Sequence, residues 1–192
     1  LVGESGCGKS TLGKAILSLT EPTGGNVFYN GQDLANLSKS RIRDQRKHLQ
    51  MIFQDPSSSL NPRLRVLDLI GEAPVAHGLV ARAAMRGYVA DLLQRVGLDE
   101  SALERYPHQF SGGQRARIGI ARALAVRPQL LICDESVAAL DVSVQAQVLN
   151  LFSELRQSLG LTYVFISHDL GVVRHLSTRV AVMYLGRVVE LG

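Results

Sequence analysis

Gly3-Glu4-Ser5-Gly6-Cys7-Gly8-Lys9-Ser10 is the stretch whose reading decides the fold. It fits G-x-x-x-x-G-K-[ST] at every fixed position. In that pattern the glycines let successive backbone N–H groups turn inward and form a nest for phosphate oxygens. Lys9 then reaches the β- and γ-phosphates of a nucleotide as a point charge, and the Ser10 hydroxyl can ligate Mg²⁺. Leu1 and Val2 read as the end of a strand. Leu12, Ala15, Ile16 and Leu19 form one apolar face of the helix that follows, so its positive dipole end points at the phosphates. A plain glycine-rich turn is the simpler alternative, and this strand–loop–helix context outweighs it. Cys7 reads as a small residue tolerated in the loop.

Outward from the loop, two apolar runs end in polar tips. Gln129 to Cys133 stops abruptly at Asp134-Glu135. Open α/β sheets bind ligands at the carboxyl ends of their strands. There Asp134 is placed to help hold Mg²⁺, and Glu135, leaving the strand in another direction, to polarise an attacking water as general base. Tyr163 to Ile166 repeats the geometry and ends in Ser167-His168-Asp169, where the imidazole can meet a γ-phosphate and orient the water. The five histidines and two cysteines show no zinc spacing.

The rest of the chain sets the frame. Its 192 residues suit one domain, and 46% hydrophobic with 20% charged residues is a globular balance. No apolar run approaches the roughly 20 residues needed to span a bilayer. The chain opens on Leu1 with no leader, from which we expect a fragment. Cys7 and Cys133 make no disulfide framework, which favours a reducing compartment. The net charge of +4 is mild for a nucleic-acid binder. Lys39 to Lys47 (KSRIRDQRK) is a basic run without interleaved aromatics, read as a solvated helix face or loop. Short apolar runs predict strands at Asn26 to Asn30, Leu49 to Phe53, Leu130 to Cys133, Tyr163 to Ile166 and Val180 to Tyr184. Met85, Val89, Leu92, Leu93 and Val96 predict a helix closed by Gly97. Another, capped by Ser143 and ended by Gly160, is predicted from Val144, Val148, Leu151, Phe152, Leu155 and Leu159. Val66 to Val126 holds no convincing strand and reads as a helical insert on a sheet-based α/β core.

Phe110-Ser111-Gly112-Gly113-Gln114 precedes a helix with Ile118, Ala121, Leu124 and Ala125 on its apolar side. Ser111 with Gln114 is a capping box, S-x-x-Q, sufficient as a structural explanation. The two glycines also leave the helix N-terminus uncluttered and suited to a phosphate.

Taken together the motifs resemble the ATP-binding cassette (ABC) family over all 192 residues. GESGCGKST (Gly3 to Thr11) is similar to its Walker A loop, and Gln54 in MIFQDP to its Q-loop glutamine. FSGGQ resembles its signature, LLICDE its Walker B with the following glutamate, Ala139-Leu140-Asp141 its D-loop, and His168 its switch histidine. The resemblance implies an α/β fold: a RecA-like P-loop sheet core carrying a helical signature subdomain at about residues 66–126. It implies one cassette domain over residues 1–192, incomplete at both ends, with N-terminal strands truncated. It implies ATP and Mg²⁺ as cofactors. Gly3, Glu4, Ser5, Gly6, Cys7, Gly8, Lys9, Ser10 and Thr11 would hold the nucleotide from one chain, and Ser111, Gly112, Gly113, Gln114 and Asp141 would contact it. Ser10, Gln54 and Asp134 would surround the metal, with Glu135, His168, Lys9 and Gln54 acting in catalysis.

QDPSSSLNPR (Gln54 to Arg63) and ALDVSVQAQVLNL (Ala139 to Leu151) further resemble ATPase subunits of peptide and nickel importers of the dipeptide and oligopeptide type. That implies a second ATPase subunit, identical or different, in a head-to-tail sandwich. It also implies transmembrane permease subunits, a periplasmic or extracellular solute-binding protein met indirectly, no nucleic acid, and a peripheral place on the cytoplasmic face of the membrane. Phe110 stands where the family usually has leucine, and Ser136-Val137 where proline-threonine is common. The family's adenine-stacking aromatic lies upstream of the loop, outside this chain. A non-transport ABC ATPase acting on nucleic acid or the ribosome is the alternative. The stretch between Lys9 and Ser111 is too short for the long coiled coil of chromosome- and repair-type members, and one cassette is too few for translation-type members. A GTPase is disfavoured too: Asp68-Leu69-Ile70-Gly71 matches D-x-x-G, but no N-K-x-D follows.

Overall fold

In the computed structural model the backbone of residues 1–192 is described, with every side chain except those of Lys39, Pro56 and Ser57. Chain order gives β1 (Val2–Gly3), α1 (Lys9–Ile16), β2 (Phe28–Tyr29), β3 (Gln32–Asp33), α2 (Lys39–Arg46), β4 (Leu49–Ile52), α3 (Pro56–Ser59) and α4 (Val66–Ala76). These are followed by α5 (Met85–Arg95), α6 (Gly112–Leu124), β5 (Leu130–Asp134), α7 (Val142–Leu159), β6 (Thr162–Ile166), α8 (Leu170–Leu176), β7 (Ala181–Tyr184) and β8 (Arg187–Leu191).

Alternation along the strands explains why helices cover both sheet faces. On β5, Leu131 and Cys133 join the large cluster under α4 to α7, while Ile132 between them joins a smaller one with Leu17, Leu34, Leu49 and Met51. On β6, Phe165 and Ile166 divide the same way. Both sides of the central strands are therefore apolar, as parallel strands covered on two faces require. Each fully buried Leu or Ile contributes roughly 1.5–3 kcal/mol. Phe152 of α7 meets Tyr163 and Phe165 edge-on, with ring centroids 5.6 and 5.5 Å apart.

Strands β4, β5 and β6 pair in parallel, with Ile52 opposite Cys133 and Ile132 opposite Val164. β1 pairs in parallel with β7, Val2 opposite Val182, and β8 closes antiparallel on β7. The two sets are bridged at Leu1, whose amino group donates to the Phe165 carbonyl at 2.7 Å and whose carbonyl accepts from the Ser167 N–H at 3.2 Å. The carboxyl ends of β1, β4, β5 and β6 thus lead to one edge. Between β4 and β5 the described residues form only helical segments and loops.

The structure revises several expected boundaries. Asn26 to Asn30 gives only Phe28–Tyr29, because Asn30-Gly31 at φ +48° and +77° turns the chain back into β3. An Asn-Gly pair favours such a tight hairpin turn. Asp141, not Ser143, stands at the N-cap of α7, and Ser143 is already inside the helix. Gly160 ends α7 in the left-handed conformation as expected. The basic run forms α2, capped by the Ser38 side chain. The exposed strand β8 was not anticipated, since all five of its residues face solvent.

Candidate functional site

Gly3 ends β1 with its backbone so close to β7 that an added Cβ would lie 2.2 Å from the Met183 carbonyl oxygen. Gly8, at φ +99°, is the N-cap of α1, a conformation that excludes most side chains. Between them the loop wraps the Lys9 ammonium, which is buried and donates to the Gly3 and Glu4 carbonyls at 2.9 and 2.8 Å. Cys7 is buried against it, its sulfur 3.8 Å from Lys9 Nζ, and its carbonyl accepts from the Gly186 N–H of the β7–β8 turn at 3.0 Å. Glu4, Ser5, Gly6 and Thr11 are exposed along the loop and the first turn of α1. Cys133, by contrast, is sealed in the core, and burial pushes its thiol far above its usual range.

Asp134 ends β5 nearly buried, and its Oδ1 accepts from the Ser10 hydroxyl at 2.7 Å. A hydroxyl and a carboxylate side by side are hard oxygen donors that suit Mg²⁺, which takes its remaining ligands from phosphates and water. Among the described residues no group of three or more His, Cys, Asp or Glu side chains is arranged to hold a metal ion.

Glu135 follows at φ +43°, a left-handed backbone that a non-glycine residue adopts only where its surroundings enforce it. Its N–H donates to the Ile166 carbonyl at 3.0 Å, which pins the turn to β6. Gln54, just beyond β4, donates from Nε2 to Glu135 Oε2 at 2.8 Å. His168, just beyond β6, places Nδ1 3.4 Å from the other carboxylate oxygen. The carboxylate is mostly shielded, with 18% of its side chain exposed against 63% for His168. Three strand ends therefore converge on one acid. No local pattern encodes the Gln54–Glu135 contact, because the two residues come from strands separated by the helical stretch.

Among the described residues, the hydrogen bonds of Ser111 and Gln114 stay within their own turn and do not reach this group. Gln114 N–H donates to Ser111 Oγ at 3.3 Å and Gln114 Oε1 accepts from Ser111 N–H at 3.0 Å, completing the expected capping box. α6 packs against α3, α4, α5, α7 and β4, none of which carries the phosphate loop. Its N-terminus abuts that of α7: a Cβ on Gly112 would meet Leu140 at 3.7 Å, and one on Gly113 would meet Val144 Cγ1 at 2.3 Å. Asp141, exposed and making no capping bond with its side chain, adjoins it. We expect Gly113→Ala to cost roughly 1–3 kcal/mol by overpacking, and Gly112→Ala far less. Chemical denaturation of both variants checks this, with Val144→Ala recovering part of the first loss.

A groove of about 630 Å³ opens between the end of β4 and α4, lined among others by Gln50, Phe53, Leu64, Leu69, Glu72 and Arg122. Arg122 of α6 ties this wall together through a 2.6 Å bond to the Ser59 carbonyl.

The family model described as ABC transporter matches residues 1–138. The chain is 55% identical over 192 residues to the oligopeptide transport ATP-binding protein AppF of Bacillus subtilis, covering all of this chain and 58% of that protein. It is 52% identical over 195 residues to the dipeptide transport ATP-binding protein DppF of Lactococcus lactis, covering 100% and 62%. The chain thus spans about three fifths of the length of these relatives. Among solved structures, the dimeric bacterial ABC transporter cassette MJ0796 superposes with a TM-score of 0.87 at 30% identity, over 100% of this chain and 82% of that one. A second structure of MJ0796, in a post-hydrolysis state bound to ADP and Pi, gives the same values.

Proposed function

The chain belongs to the ABC transporter family, and from that premise we propose that it binds and hydrolyses Mg-ATP between two cassettes to drive import of peptides through a membrane permease. One observation carries the reading. Lys9, Ser10, Asp134, Glu135, Gln54 and His168 meet at the carboxyl edge of the sheet, whereas the Ser111 helix end opens α6, which packs against α3, α4, α5, α7 and β4 and not against the helix of the phosphate loop.

The loop from Gly3 to Thr11 would cradle the phosphates, Lys9 would exchange its two carbonyl partners for phosphate oxygens, and Ser10 with Asp134 and Gln54 would surround the metal. A Mg²⁺ held there would supply positive charge to offset that of the phosphates. Glu135 accepts the proton of the attacking water, and His168 with Gln54 holds that carboxylate in place. Ser111 Oγ accepts one bond within the capping box, so its own hydrogen is left to donate to a second subunit's nucleotide, together with the N–H of the exposed Gly112. Asp141 beside it faces the same partner. Residues 66–126 serve as the helical subdomain of the cassette spanning residues 1–192.

Peptides are favoured as cargo because relatives above 50% identity carry oligopeptide and dipeptide transport in their names. The groove beside Gln54 is the surface for the permease, with the solute-binding protein acting only through that permease. No helix among the described residues is long and apolar enough to cross a membrane, so this chain would attach to the cytoplasmic face through protein contact.

Mixed dimers test the sandwich. In the full-length protein, Lys9→Ala and Gly112→Asp each abolish trapping of nucleotide when alone. Combined, they leave one composite site with an intact loop and an intact signature, and trapping returns there. Where the natural partner is a second ATPase, one lesion goes into each subunit. Dimers that form and trap no more than either variant alone overturn the proposal.

A further inference from the structure

Phe110, the residue before the signature's cap, is buried beneath a cation. The guanidinium carbon of Arg105 lies 4.2 Å from the centroid of its ring, close enough for the charge to be drawn to the ring's negative face. Arg105 also donates from Nη2 to the Gln109 carbonyl. From the other side, Arg115 Nε of α6 donates to the Phe110 carbonyl at 3.0 Å. The same peptide unit carries the Ser111 N–H, which donates to Gln114 Oε1. One peptide plane is therefore held at its carbonyl, at its N–H and through the preceding ring. That plane aims the Ser111 hydroxyl and the first N–H groups of α6.

Arg105 is anchored at its other end too. Its carbonyl accepts from the Val66 N–H at 3.0 Å, at the first residue of α4, and α4 forms a wall of the groove. Glu104 beside it pairs with Arg65 at 2.6 Å and with Arg86 of α5. These pairs are about half exposed and worth little singly, so the ring contact and the backbone bond dominate.

We propose that Arg105 is a positioning residue for the signature: through Phe110 it fixes the direction of the Ser111 helix end and ties that end to α4. The proposal rests on the sandwich reading above. Among the described residues, the bonds and ring contact of Arg105 reach neither the phosphate loop nor the Glu135 cluster of its own chain. Its removal should therefore leave ATP binding at the Lys9 loop unchanged while weakening the site that its signature completes in the partner.

The test uses the full-length protein and its natural partner. Arg105→Ala should bind ATP as the parent does and trap about fivefold less nucleotide, the scale of one lost cation–ring contact. Arg105→Lys keeps the charge without the planar fork and should recover part of the loss; it also controls for misfolding. Mixed dimers locate the defect. Paired with Lys9→Ala, Arg105→Ala supplies an intact loop opposite an intact signature, and trapping at that site should equal the parent's. Paired with Gly112→Asp, one site keeps only the weakened signature and traps at the Arg105→Ala level, while the other traps nothing. A merely structural residue would give the same loss with either partner and would lower ATP affinity alongside thermal stability, which overturns the proposal, as does parental trapping by Arg105→Ala alone. The Lys9→Ala with Gly112→Asp pair is run in parallel: if that pair fails, the sandwich reading falls; if it succeeds and the Arg105 pairs do not differ, only the positioning role falls.

Discussion

Glu135→Gln in the full-length protein keeps its affinity for ATP and loses turnover by roughly 10²- to 10⁴-fold, the range a placed proton acceptor contributes. The separation follows from how the residue is held. Its backbone is pinned by the bond to Ile166 and by the left-handed turn after β5, so an amide in place of the carboxylate occupies the same space. An amide retains one acceptor oxygen for Gln54 or His168 but has no proton affinity to offer water. Lys9, Ser10 and Asp134 are untouched, so phosphate clamping persists. Equilibrium ATP binding and single-turnover phosphate release, measured on the same preparation, separate the two effects. Release at the parental rate would remove Glu135 from the role of base.

Lys9→Ala has the opposite signature: ATP affinity drops by on the order of 100-fold, equal to about 2.8 kcal/mol. A hydrogen bond between a cation and phosphate contributes roughly 1.5–3 kcal/mol. The net loss is smaller than two such bonds because the free ammonium is not idle. It already donates to the Gly3 and Glu4 carbonyls, and those bonds are given up on binding. Removing the side chain also strands those carbonyls, so the loop should melt more readily. Calorimetric titration gives the affinity and a thermal scan the stability. Parental affinity in a folded variant would show that the loop's N–H groups alone hold the phosphates.

Glycine spacing and strand-end acids made the phosphate loop and Asp134-Glu135 legible in the sequence, because both are local patterns with local causes. The capping box of Ser111 and Gln114 was legible for the same reason. The Gln54–Glu135 bond was not, since it depends on β4 and β5 pairing in register across the helical stretch between them. β8 escaped because its Val188, Val189 and Leu191 are all exposed, leaving no inward–outward alternation to read. The N-cap of α7 was misplaced by two residues, as serine and aspartate cap about equally well and Asp141 makes no capping bond with its side chain. Arg105 belongs to no motif. Its role emerges only when Phe110 is seen beneath it.

The bridge at Leu1 bears on the order in which the molecule is built. β1 has two neighbours, β6 at Phe165 and Ser167 and β7 at Val182 and Met183, and both come from the far end of the chain. Such distant pairings are slow to find, because the intervening chain must be closed before they return any stabilisation. On the ribosome, the glycine-rich loop emerges long before the strands that flank β1. Helices α4 to α6 can collapse on one another while it waits. A nascent chain would therefore carry the phosphate motif without its neighbouring strands, and on the proposed function ATP binding would wait until synthesis has passed β7.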